Sequence, residues 1–127
     1  IEFVKKSKIK EKIQNIEIPL DIFAQNMSPA EALCKYLKEN KNLRFNEIAL
    51  AINRDQRTVW INYKNSTKKQ KIKVNEKMIS APINIFSDRR LSILESVIKY
   101  LKDKGFENSK ISKLTGKPPS NIWTRKK

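Results

Sequence analysis

The chain states one motif twice. From Ile18 it runs I-P-L-D-I-F, then S-P-A-E-A-L-C-K-Y-L-K, then N-E-I-A-L-A-I-N-R-D-Q-R-T-V-W. From Ala81 it runs A-P-I-N-I-F, then S-I-L-E-S-V-I-K-Y-L-K, then S-K-I-S-K-L-T-G-K-P-P-S-N-I-W. Pro19 and Pro82, like Trp60 and Trp123, stand one period of about 63 residues apart. A period that long is a complete supersecondary unit, so each copy is expected to fold, and to act, in the same way. Units of roughly 60 residues bury only about 60% of the surface of their unfolded chains. Each is expected to lean on its neighbour.

Charge narrows the partner. Twenty-eight Lys and Arg oppose 13 Asp and Glu, for a net charge of +15. An A/T-rich genome inflates Lys, Asn and Ile together, but codon bias would raise Glu as well. An excess of this size points to a polyanion held through counterion release. An anionic membrane is disfavoured, because no segment sets a basic face against a broad apolar one. No apolar run reaches membrane-span length. No signal peptide is visible, and a chain that opens on Ile1 says nothing about targeting.

The absences exclude chemistry. With one cysteine, Cys34, and no histidine, the chain has no internal disulfide, zinc finger or imidazole catalysis. Cys34 reads as a small core or boundary residue whose free thiol suits a reducing cytoplasm. Only two glycines are present, and they form no phosphate-binding loop. No enzyme, cofactor, metal or small-molecule substrate is expected.

Within each copy the local signals are consistent. Residues 1–17 and 66–80 form a basic lead-in and a basic linker, with K-K-S-K-I-K set against K-K-Q-K-I-K. Part of each is expected to be extended, as the alternation over Lys71–Val74 suggests; a solvated linker is the alternative. Next, Ile22/Phe23 and Ile85/Phe86 form an apolar plug. Ser28 with Pro29 and Glu31 predicts a capped helix start, and Ser92 with Glu95 repeats it. Leu33, Tyr36 and Leu37, matched by Val97, Tyr100 and Leu101, give a core-facing stripe.

The stretch Leu43–Lys64, L-R-F-N-E-I-A-L-A-I-N-R-D-Q-R-T-V-W-I-N-Y-K, carries the function. Ile48 and Ile52 point a second helix inward, and Ala49 is small where two helices cross. Asn53 suits a left-handed turn, as does Gly116 in the second copy. Asp55 is placed to cap a third helix that Val59 and Tyr63 pin to the core. These residues resemble the helix-turn-helix of bacterial and archaeal DNA-binding proteins. The flavour is closest to the final DNA-binding region of sigma factors and to small transposase and regulator modules. The resemblance covers about twenty residues per repeat, within a three-helix unit.

The resemblance implies an all-α fold of two tandem three-helix units (18–65 and 81–127), each behind a short basic lead-in. The third helix would enter the major groove of double-stranded DNA. Gln56 can pair with adenine and Arg57 with guanine. Arg54, Thr58, Asn62 and Lys64 suit phosphate or sugar contacts, with Ile61 facing outward beside them. Trp60 and Trp123 are expected at the core edge against the first helix. Stacking on DNA is the alternative that keeps Trp60 among the DNA-facing residues. The second copy departs from the pattern: Ser112 and Lys110 replace Ala49 and Glu47, Pro118-Pro119 open its third helix, and Lys126 replaces Tyr63. Its DNA-facing candidates are Lys117, Ser120, Asn121, Thr124 and Arg125.

The expectation is a DNA-binding transcription regulator or DNA-organising factor of the cytoplasm and nucleoid. It would read two related but non-identical half-sites, spaced by roughly 10 bp or a multiple. The alternatives are the DNA-end-recognition region of a transposase or recombinase, or a protein-docking helical repeat. A homodimer or a larger parent protein stays open.

Overall fold

The computed structural model describes residues 13, 15–24, 27–69 and 79–116, and over these the chain is mostly helical. Two short strands, β1 (Glu17–Pro19) and β2 (Ser80–Pro82), each lead into a 3-10 segment, Leu20–Ala24 and Ile83–Ser87. The first unit continues with α1 (Pro29–Lys35), which passes into a π turn (Tyr36–Asn40), then α2 (Phe45–Ile52) and α3 (Gln56–Ser66). The second continues with α4 (Ile93–Asp103) and α5 (Asn108–Thr115). Extended backbone thus falls where each basic segment meets its unit; Lys71–Val74 lies outside the described residues.

Local chemistry accounts for the helix ends. Ser28 Oγ accepts from the Glu31 N–H at 3.3 Å, while Glu31 accepts from the Ser28 N–H at 3.2 Å. Ser92 and Glu95 repeat this at 3.1 and 2.9 Å. Each reciprocal pair satisfies two amides that the first turn leaves without helical partners. α2 stops at Asn53 and α5 at Gly116, both left-handed at φ 53° and 68°. Gly116 is required there twice over, because a Cβ would sit 3.1 Å from the Ala24 Cα.

The π turn is one of two places where the repeats differ in length; the other lies before the first long helix, where Phe86 to Ser92 spans one residue more than Phe23 to Ser28. One more residue separates Tyr36 from Lys41 than separates Tyr100 from Lys104. The Lys41 N–H reaches back five residues to the Tyr36 carbonyl at 3.3 Å. Its counterpart Lys104 reaches back four to Tyr100 at 3.1 Å. The extra residue is absorbed by widening one turn, so the downstream helices keep equivalent positions.

The sequence predicts mutual support, and the structure delivers it by exchange. β1 pairs antiparallel with β2, with Ile18 opposite Ala81. The Leu20 N–H donates to the Ile79 carbonyl at 2.9 Å, and the Ile83 N–H to that of Ile16 at 3.0 Å. Each plug then crosses over: Ile83–Ser87 packs against α2 of the first unit, and Leu20–Ala24 against α5 of the second. Phe23 and Phe86, both buried, meet with ring centroids 5.9 Å apart. One apolar cluster runs through both units, from Ile18 and Leu33 to Ile48, Val59, Val97 and Ile111. Neither half encloses its own core.

Candidate nucleic-acid interface

α3 carries the sequence-predicted site and contains no acidic residue. Its start is set by Asp55, whose carboxylate accepts from the Thr58 N–H at 3.4 Å. Its inner face is set by Val59, which is buried, and by Tyr63, half-buried with its ring 5.6 Å from that of Phe45. The Tyr63 hydroxyl donates to Glu39 Oε2 at 2.9 Å, and the same oxygen accepts from Lys35 Nζ at 3.3 Å. Burial first, and then Glu39, hold the phenol above its ordinary pKa, so it stays a donor. This contact fixes the rotation of α3 about its own axis and ties it to the end of the first helix.

With that face anchored, helical spacing aims the rest outward. Arg57, Ile61 and Lys64 recur at i, i+4 and i+7 and are all exposed. Gln56 is exposed at the start of the helix, and Thr58 is exposed on its flank. Asn62, half-buried, donates from Nδ2 to the Thr58 carbonyl at 3.1 Å. Among the described residues neither Arg57 nor Lys64 is ion-paired. The result is a stripe with a cation near each end and an isoleucine between them.

Two residues sit otherwise than expected. Trp60 is not at the core edge: it is 47% exposed, and Lys64 Nζ lies 5.6 Å from its ring centroid. The position at the core edge is taken by Tyr63 on Phe45, which leaves Trp60 on the solvent side. Arg54 is turned away from the stripe. Its Nη2 donates to the Leu91 carbonyl at 2.7 Å and its Nη1 to that of Ile52 at 3.1 Å. Burial, followed by the charge of Arg89, lowers its pKa, with Asp88 opposing. Arg54 fastens the turn before α3 to the second unit through donors on both of its terminal nitrogens.

That fastening borders a feature the sequence did not announce. A cleft of about 280 Å³ runs between the two units, lined among others by Cys34, Ile52, Arg54, Thr58, Arg89 and Ile93. In the sequence its one charged signal from the second unit is D-R-R at Asp88–Arg90, of which Arg89 lines the cleft. There the Arg90 guanidinium chelates Asp88 through two 3.0 Å bonds and holds its carboxyl at about 2.

Lys117, Ser120, Asn121, Thr124 and Arg125, with Trp123, lie outside the described residues. The described part of the second unit ends with α5 and its stop at Gly116. Among the described residues no group of three His, Cys, Asp or Glu could hold a metal ion. No helix among them is long and apolar enough to cross a membrane. No protein-family model, curated protein or solved structure matches the chain.

Proposed function

We propose that this protein binds double-stranded DNA by laying α3 in the major groove, the second helix of a helix-turn-helix formed with α2. The observation that carries the reading is the outward stripe Arg57–Ile61–Lys64, on a helix without acids and on a chain of net charge +15. Duplex DNA presents one phosphate charge per roughly 1.7 Å of axis, which such a face can neutralise. At the helix start, Gln56 and Arg57 reach base edges, where bidentate pairing to adenine and guanine supplies discrimination. Ile61, one turn further on, suits a thymine methyl. Lys64 at the far end, with Trp60 beside it, lies where the groove wall offers phosphate and sugar. DNA-dependent regulation or organisation follows as the biological role.

Two substitutions separate these contributions. Arg57→Ala is expected to cost about 1–3 kcal/mol on a selected site and to relax preference at one base position. Lys64→Ala is expected to weaken all duplexes alike and to reduce the slope of log K against log salt by about 1. Fluorescence anisotropy with duplexes selected from a random pool measures both. Unchanged affinity and sequence preference in Arg57→Ala would refute the placement of α3.

The exposed Trp60, Ile61 and Leu50 favour a second reading, a face that docks another protein. Affinity for duplex at moderate salt, above that for other polyanions, decides for DNA.

A further inference from the structure

The cleft between the two units has the walls of a binding site. Four segments meet there: α1, the turn after α2, one flank of α3, and the stretch that leads into α4. Its floor is apolar, made by the buried Cys34, Ile52, Val59 and Ile93. Its rim is cationic: Arg54 and Arg89 both line it, and among the described residues no acidic side chain does. Asp88, the acid next to Arg89 in the chain, is chelated by Arg90 instead. Arg89 is exposed and has no ion-pair partner among the described residues. Arg54 bonds the carbonyls of Leu91, Ile52 and Asn53, and a guanidinium carries more N–H donors than these contacts use. Burial, and then the charge of Arg89, lower the Arg54 pKa, as expected of like charges that share one rim.

We infer that this cleft binds a small carboxylic acid with a compact apolar body, an aryl or branched alkyl group. The body covers the floor, where filling the void restores dispersion contacts that the facing side chains lack. The carboxylate meets the rim. There Arg89 supplies a whole guanidinium fork, which matches the two oxygens of one planar carboxylate, and Arg54 adds its charge. Size narrows the class: about 280 Å³, at about 30 Å³ per water, is the bulk of roughly ten non-hydrogen atoms. A nucleotide or a peptide is too large, and the floor would leave its polar groups unpaired. Apolar walls with a few polar groups gathered at one end are the general form of a small-molecule site. Thr58 and Asn62 stand four apart on the flank of α3, between the buried Val59 and the outward stripe. A molecule in the cleft therefore leaves Arg57, Ile61 and Lys64 uncovered, and its binding stands apart from any contact with DNA. Composition could not announce such a site, because Arg54 and Arg89 meet only through the packing of the two units.

Titration of the full chain with phenylacetate, followed by proton–nitrogen correlation NMR, tests this. The expected result is saturable shifts at millimolar concentration, confined to amides around the cleft such as those of Thr58, Asn62 and Ile93. Phenylacetamide keeps the body without the charge, and acetate keeps the charge without the body. Each is expected to bind more weakly than phenylacetate by about tenfold or more. Arg89→Gln is expected to weaken phenylacetate by about tenfold and to leave the rest of the spectrum in place, since Arg89 is exposed. Ala30→Leu, which fills the cleft from α1, is expected to abolish the shifts. Shifts that are absent, that spread over the exposed lysines, or that are matched by either analogue overturn the inference. So does full affinity in Arg89→Gln, which decides alone if Ala30→Leu fails to fold.

Discussion

Replacing Phe86 by alanine should disrupt the first unit as much as the second, which carries it. Phe86 is fully buried, packs on Phe23 at 5.9 Å, and belongs to the plug seated against α2 of the first unit. Truncating a buried phenylalanine costs about 3–5 kcal/mol, of which the aromatic pair accounts for about 0.5–1.5. A domain of this size has only about 5–15 kcal/mol of stability in all. With a urea slope of about 2 kcal/mol/M, a loss of about 4 kcal/mol lowers the midpoint by about 2 M. Far-UV circular dichroism follows that midpoint, and amide hydrogen exchange locates the loss. Because its plug packs against both α2 and α4, protection over Phe45–Ile52 should fall as far as protection over Ile93–Asp103. Loss confined to Ile93–Thr115, with Phe45–Ser66 as protected as before, would refute the shared core and with it the exchange of plugs.

Gly116→Ala should destabilise by about 1–2 kcal/mol in the same urea assay, since a left-handed backbone disfavours a Cβ and that Cβ meets Ala24 backbone; an unchanged midpoint would show that the close approach is relaxed in solution. Cys34 should label with an alkylating reagent only on unfolding. Burial pushes its thiol up to about 12, against an ordinary value of 9.0, so at pH 8 its thiolate is about a thousandfold scarcer. Labelling of native protein at the rate of a free thiol would place α1 away from the core.

The amino-acid sequence by itself determined the local pieces. Caps at Ser28, Ser92 and Asp55, and left-handed stops at Asn53 and Gly116, depend on residues within one helical turn of each other. So do the inward faces marked by Leu33, Leu37, Ile48 and Val59, because helix geometry alone brings such neighbours together. The outward stripe Arg57–Ile61–Lys64 was legible for the same reason, once Val59 and Tyr63 fixed the opposite face. What only the tertiary structure decided is which partner each piece meets. The two plugs, I-P-L-D-I-F and A-P-I-N-I-F, are near-equivalent, so either could fill either groove with similar apolar burial. Nothing within a few residues of Phe23 or Phe86 distinguishes its own unit from the other. Arg54 shows the same limit, since a guanidinium serves a phosphate or a carbonyl equally well, and Leu91, far along the chain, supplied the carbonyl. Trp60 lost the core edge to Tyr63 through Phe45 and Glu39, contacts that arise only when three separate helices come together. Patterning specifies surfaces; the closure of one chain over its own repeat selects between surfaces that look alike.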